Sequence, residues 1–362
     1  MTRSIDAAKS AKNDEFYTQW RDIEQEVNAY LERDEDLFRD RVVLLPCDDP
    51  EWSNFVKYFA LHFSEYGIKK LISTSYAPKS NHDGDFYRPT LFEEDDPKYD
   101  PAKSVERGRI FVLDRTDVNN DGRVDLDDLR WDYLEGDGDF RSDEVTALRD
   151  EADIIFTNPP FSLFREFLAW MRATPGMLFA VIGNSNATTY KEVYPLIQNN
   201  EIWKGATGNS SDMVFAVPKG SDIKDADRKK AEKMGYPPSE KYDFTRMGSS
   251  CWYTNIEHGI RHEPIPLLDM ADQLRYSAHS EIIKRGYIKY ENADAIEVPY
   301  VDAIPGDYAG LMGVPITFID QYNPEQFEIV GFRKGDDGKD LRVMVDGVMK
   351  SPYFRILVKL KG

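Results

Sequence analysis

The chain has 362 residues, 41% of them hydrophobic and 13% aromatic, which suits one large domain or two ordinary ones around a sizeable core. No apolar run is long enough to span a bilayer, the N-terminal stretch MTRSIDAAKSAKNDEF has no apolar signal region, and the two cysteines, Cys47 and Cys251, stand in unrelated contexts, so a cytoplasmic protein with free thiols is expected. The net charge of −19 argues against a polyanionic partner, but acids crowd between Phe92 and Asp153 while bases gather at 219–233 and 332–362, leaving room for a locally basic face.

A capped amphipathic helix is predicted over 22–31. RVVLLPCDD reads as a buried strand and a turn. Phe55, Tyr58, Phe59 and Phe63 follow at helical spacing, with Gly67 as C-cap, and IKKLISTSY is a second strand. Helix, strand, helix, strand predicts a parallel α/β sheet. Residues 77–135 then read as an acidic insertion carrying a hairpin near RGRIFVLD. Regularity returns with the strand ADIIFTNPPF, the helix SLFREFLAWMRAT, the strand GMLFAVIGN, the helix TTYKEVYPLIQNN, and strands at IWKGAT, DMVFAVP and SSCWYTNI. The charged stretch 219–243 is expected to be mobile. Beyond Glu257 the texture turns to short strands, prolines and tyrosines, which divides the chain into domains at 1–256 and 257–362.

The chemistry concentrates at Asn158, Pro159, Pro160 and Phe161, directly after an apolar strand. In open α/β sheets ligands bind at the carboxyl ends of strands. The lone pair of an exocyclic purine amine is delocalised into the ring. Two acceptors aimed at its N–H groups favour a tetrahedral, nucleophilic nitrogen. The Asn158 side-chain oxygen supplies one, and the Pro159 carbonyl, held by restricted torsions, supplies the other. Phe161 stacks on the base, and a methyl sulfonium in line completes the transfer through preorganised electrostatics and alignment. A base within a duplex reaches such a pocket only by flipping out, and Phe215 is a candidate for its second face, with ordinary core packing as the equal alternative.

These segments resemble the EcoRI-type adenine-specific DNA methyltransferases. The resemblance runs through NDEFYTQWRDIE, CDDPEWSNFVKYFA, KKLISTSY, GDGDFRS, TNPPFSLFREF, TYKEVYPLI, CWYTNI, MGVPITF, NPEQFE, FRKG and PYFRIL. It implies a Rossmann-like S-adenosylmethionine-dependent methyltransferase fold with a C-terminal target-recognition region. It also implies adenine N6 in double-stranded DNA as target, with GAATTC as the family's founding site, and a cognate restriction endonuclease as counterpart. DEFYT resembles the motif that meets the donor's methionine end, giving Phe16, Tyr17 and Thr18. LLPCDDP stands where a glycine-rich turn is usual, giving Cys47 and Asp48. Ser75 and Tyr76 fall near the ribose. GDGDF resembles the donor-adenine motif, with Asp139 accepting from the amino group and Phe140 packing on the ring. A helix-entry role for Tyr17 and a simple turn role for Asp139 stay open.

Residues 117–128 also fit the spacing of a calcium loop, with Asp117, Asn119, Asp121, Arg123 (through its carbonyl), Asp125 and Asp128 as ligands and Gly122 at the turn. Position 12 is Asp rather than Glu, and a strand rather than a helix leads in, so a solvated hairpin tip is the other reading. Basic residues at 219–233 and in the C-terminal run are candidates for phosphate and base contacts. A monomer is expected, since one strand of a palindrome is modified per visit. Two rivals remain: the same chemistry on a protein glutamine or RNA base, and a non-catalytic calcium-dependent module.

Overall fold

Strands are numbered in chain order. In the first of two units β1 (Tyr17–Thr18) is followed by β2 (Val42–Leu45), β3 (Lys70–Ser75), β4 (Arg109–Asp114), β5 (Arg130–Tyr133), β6 (Ile154–Thr157), β7 (Leu178–Asn184), β9 (Met213–Pro218), β10 (Tyr242–Met247) and β11 (Ser250–Thr254). The computed structural model describes residues 17–50, 53–77, 96–207, 213–333 and 340–361. The units are Met1–Ser185 with Gly205–Ile256, and Asn186–Lys204 with Glu257–Gly362.

Within the first unit the main sheet runs β5-β4-β3-β2-β6-β7-β11. Its centre is parallel: β2 pairs with β3 and β6, and β6 with β7. Central parallel strands are covered on both faces, which is why β2 (VVLL) and β6 (IIFT) are buried at every position. The flanks are antiparallel, so the sheet is mixed rather than wholly parallel. β4 returns along β3 through six residue pairs, β5 along β4, and β11 along β7. The acidic segment therefore extends the main sheet by a hairpin on its edge, where the alternating burial of β4 suits a less enclosed strand.

The helix Trp20–Leu31 buries Ile23, Glu26, Val27 and Tyr30, one stripe at 3.6-residue spacing. The helix Asn54–Leu61 buries Phe55, Val56, Tyr58, Phe59 and Ala60, and Ser53 caps it by accepting from the Phe55 N–H. Apart from Glu26 and the capping Ser53, these side chains form one apolar cluster with Phe156, Ile182, Phe215 and Trp252. A smaller antiparallel sheet, β1-β9-β10, lays Tyr17 beside Ala216 and Thr18 beside Phe215. The charged stretch 219–243 is more ordered than its composition suggested. It holds the helix Asp225–Lys233, with Asp225 and Asp227 in the first turn and Lys230 and Lys233 in the last, matching the helix dipole.

The second unit contains β8 (Trp203–Lys204), β12 (Ile288–Lys289), β13 (Ala295–Glu297), β14 (Leu311–Pro315), β15 (Phe327–Arg333), β16 (Val343–Val345), β17 (Val348–Lys350) and β18 (Arg355–Leu360). A five-stranded sheet runs β12-β13-β14-β18-β15, and β16-β17 form a separate hairpin. Its central ion pair joins Arg355 to Glu297 at 2.6 Å, with the Tyr290 hydroxyl donating to the same carboxylate. The segment TTYKEVYPLIQNN folds as a 3₁₀ turn, Ser185–Thr189, and a short helix, Tyr194–Gln198. Pro195 sits in that helix's first turn, where no N–H is needed.

Candidate active site

The carboxyl ends of β2, β3 and β6 meet at Asp48. Its carboxylate accepts from Ser53 Oγ at 2.6 Å and Thr157 Oγ1 at 2.7 Å. Its N–H donates to the Thr74 carbonyl at 2.9 Å, and its own carbonyl accepts from the Ser73 hydroxyl. Only 5% of Asp48 is exposed. Burial pushes its carboxyl up to about 6, although the Ser53 and Thr157 hydroxyls pull the other way. The neighbouring Cys47 thiol is also pushed up, by burial first and by the Asp48 charge second, so it stays protonated. Asp49 holds the buried Arg109 guanidinium at 2.8 Å, tying the start of β4 to the same loop.

Beyond Ser75 two glycines meet backbone to backbone. A Cβ on Gly108 would lie 2.7 Å from the Gly138 Cα and 2.7 Å from the Ser75 carbonyl oxygen. A Cβ on Gly138 would collide with that same oxygen, and Gly138 has a φ of +86°. Only glycine fits both positions. The GDGDF loop is thereby pressed onto the end of β3, with the Ala77 N–H donating to the Asp137 carbonyl at 2.8 Å. Asp139 faces the same region and accepts from Arg141 Nη2 at 2.6 Å and from the Arg141 N–H at 2.8 Å. Burial opposes ionisation of Asp139, but the bonds from Arg141 prevail and hold it below the usual carboxylate range.

The motif residues follow the last residue of β6. Asn158 is half-buried, Pro159 buried, and Pro160 and Phe161 half-buried. Phe161 opens a 3₁₀ turn, Phe161–Leu163, closed by the Leu163 N–H on the Pro160 carbonyl, and the helix Phe164–Met171 follows. Phe161 packs on the edge of the apolar cluster. β1 reaches the start of the Asn54–Leu61 helix, where Asn54 Nδ2 donates to the Thr18 carbonyl at 2.8 Å. Tyr17 meets Tyr242 edge-on at 6.3 Å. The hydroxyls of Thr18 and Ser75 are buried with no hydrogen-bond partner among the described residues. Buried hydroxyls are ordinarily paired, so these two fit a polar ligand such as S-adenosylmethionine.

The sequence-derived residues therefore divide. Cys47, Asp48, Ser75, Tyr76, Asp139 and Asn158–Phe161 all stand at or just beyond the carboxyl ends of the parallel strands. Phe16 lies outside the described residues. Phe140 turns inward onto Phe167 at 5.0 Å and Trp170 at 5.5 Å, with the Arg141 guanidinium over its ring. Phe215 is fully buried in the apolar cluster and shows no exposed face. Sequence reasoning passed over Ser53, Ser73 and Thr157. Ser53 carries the cap signature of a serine before an apolar helix, whereas the other two look like ordinary strand residues until their partners are known.

In the loop 117–128 the side-chain oxygens turn onto the loop's own amides. Asp117 accepts from Asp121 and Gly122, Asn119 from Asp121, Asp121 from Arg123, and Asp128 from Val118, Asn119 and Asp125. Asp125 caps the 3₁₀ turn Leu126–Asp128 by accepting from Asp127. Among the described residues no group of three or more His, Cys, Asp or Glu is arranged to hold a metal ion. No helix among them is long and apolar enough to cross a membrane.

A family model described as adenine-specific methyltransferase EcoRI matches residues 4–361. The Type II methyltransferase M.EcoRI of Escherichia coli is 39% identical over 354 residues, spanning 98% of this chain and 95% of its own length. M.MpnI of Mycoplasma pneumoniae is 31% identical, covering 89% of this chain and 83% of its own, and M.MgeORF184P of Mycoplasma genitalium is 30% identical, covering 89% and 84%. No solved structure matches. With its Asn-Pro-Pro-Phe turn at the mouth of a mixed methyltransferase sheet, the chain belongs to the EcoRI family of adenine-specific DNA methyltransferases.

Proposed function

We propose that the enzyme methylates N6 of an adenine flipped out of a specific site in double-stranded DNA. The observation that carries the reading is the Asn158–Phe161 turn, which leaves β6 beside the buried Asp48 bridge. Asn158 Oδ1 and the Pro159 carbonyl accept from the two N–H groups of the target amine, which draws its lone pair out of conjugation. The two prolines restrict the torsions around that carbonyl, so it is already in place when the base arrives. Phe161 covers one face of the base and fixes its plane. S-adenosylmethionine, when bound, supplies an electrophilic methyl on a sulfonium. Thr18 and Ser75 have buried hydroxyls to offer it, and Tyr17, Cys47 and Tyr76 are proposed as its further contacts, with Asp139 for its nucleoside end. Arg141 stands against Asp139 and must share it with any ligand amine.

The second unit, with β12–β18, is the proposed reader of the DNA sequence, and GAATTC is the first site to test. We infer a cytoplasmic monomer, since one strand of a palindromic site is modified per visit, working beside a restriction endonuclease of the same specificity; the relatives are named Type II methyltransferases. The loop 117–128 is proposed as structural, whether or not calcium joins it.

The test is incubation with a methyl-labelled donor and duplex DNA carrying or lacking GAATTC, followed by digestion to nucleosides. The deoxynucleoside of N6-methyladenine in the digest is the expected product. Label confined to RNA or protein would replace this reading with the same chemistry on another amine. Asn158→Ala is expected to abolish turnover while donor binding survives; loss of donor binding would remove Asn158 from its role as an acceptor for the target amine.

A further inference from the structure

Asp48 bears an ionisable side chain beside the proposed site, yet it is sealed away from any ligand. Each carboxylate oxygen accepts one hydroxyl, from Ser53 on the helix side and from Thr157 on β6, and its backbone N–H and carbonyl are both taken by β3. All four partners are themselves buried. Thr157 is the residue directly before Asn158, and it is the last residue of a strand with no exposed surface. A bond from its hydroxyl to a fixed carboxylate sets the torsions at the point where the chain leaves the sheet. The amide oxygen one residue on must be aimed within a fraction of an ångström to act on the target amine, and misplacement of about 1 Å can cost on the order of a hundredfold in rate.

We propose that Asp48 is a positioning residue, acting through Thr157 to aim the Asn158–Phe161 turn, and is not a contact of the methyl donor. The inference rests on the proposed reaction. It gives the loop after β2 a different duty from the glycine-rich turn that stands there in related folds: its acidic residue braces the methyl-accepting side of the site.

The experiment compares Asp48→Ala, Asp48→Asn, Thr157→Val, Thr157→Ser and the double variant Asp48→Ala/Thr157→Val in the full chain. It measures kcat on duplex DNA, donor affinity by calorimetry, and thermal melting. Asn at 48 retains an acceptor for the Thr157 hydroxyl, and Ser at 157 retains the donor, so both are expected to keep most of the turnover. Asp48→Ala and Thr157→Val are each expected to lower kcat about tenfold or more while donor affinity stays within about twofold. The double variant is expected to be no slower than the slower single, because both remove one link. Multiplying losses in the double, or an Asp48→Ala defect expressed as weak donor binding with kcat intact, overturns the proposal. Should Asp48→Ala fail to fold, Thr157→Val against Thr157→Ser decides alone: equal activity of the two overturns it. A wild type that makes no N6-methyladenine defeats the underlying reaction instead.

Discussion

Replacing Gly138 by alanine tests whether the seating of the GDGDF loop governs donor binding. The residue has a φ of +86°, and a left-handed conformation costs an L-residue about 1–2 kcal/mol. The new methyl would also strike the Ser75 carbonyl oxygen and lie 3.2 Å from its carbonyl carbon. Both are backbone atoms of a central strand that cannot swing aside. Overpacking of that kind adds roughly 1–3 kcal/mol. The total, about 2–5 kcal/mol, exceeds what the tie from the Ala77 N–H to the Asp137 carbonyl contributes, about 1 kcal/mol net. The loop should therefore lift from β3 and carry Asp139 with it, and calorimetric titration with S-adenosylmethionine should show affinity reduced at least about tenfold. Gly122→Ala is the matched control. It has nearly the same φ, +87°, but nothing within 4 Å of the added methyl, so it bears backbone strain without the collision. A Gly138→Ala protein that binds donor within about twofold of wild type would refute the reasoning.

Asp48→Asn should be stabilising at alkaline pH. The folded carboxyl, at about 6 against an ordinary 3.8, favours its protonated form, so its ionisation costs up to about 3 kcal/mol above pH 6, a cost that fades as pH falls towards 4. Urea melts should show the variant's advantage in full at pH 8, reduced to about half at pH 5 and mostly lost by about pH 4. Tyr30→Phe removes one of the four donors on the buried Glu26 carboxylate, the others being the Ala206 N–H and the Thr207 N–H and hydroxyl, and should lower stability by about 1–3 kcal/mol in the same melts. In the second unit Glu297→Ala strands Arg355 and should cost about 3–5 kcal/mol, while Glu297→Leu combined with Arg355→Met should cost less; equal losses would show that the charge pair is not the reason.

The parallel centre of the sheet was legible because strands buried on both faces need uninterrupted apolar runs, as in VVLL and IIFT. The Asn-Pro-Pro-Phe turn was legible because its residue types restrict the backbone by themselves. Partnership was harder to read. The alternation of RIFVLD announces a strand but not that it returns along β3, and the affiliation of Asn186–Lys204 with the second unit depends on contacts made far along the chain. Thr157 and Asp48 stand 109 residues apart, and neither carries a local sign of the other. Phe140 illustrates the same limit: its place after Asp139 suggested a ligand-facing ring, whereas the helix Phe164–Met171 supplies the aromatic surface that it packs on.

The register of the edge hairpin has a practical corollary. Arg109 lies opposite Ser75, whereas Asp114 lies opposite Lys70. Five residue steps of about 3.3 Å put the acidic tip roughly 17 Å from the glycine pair, at the far pole of the sheet. A fluorophore or affinity handle grafted into that tip would ride on the enzyme as a remote passenger, able to track it along a DNA molecule while leaving the reacting groups untouched.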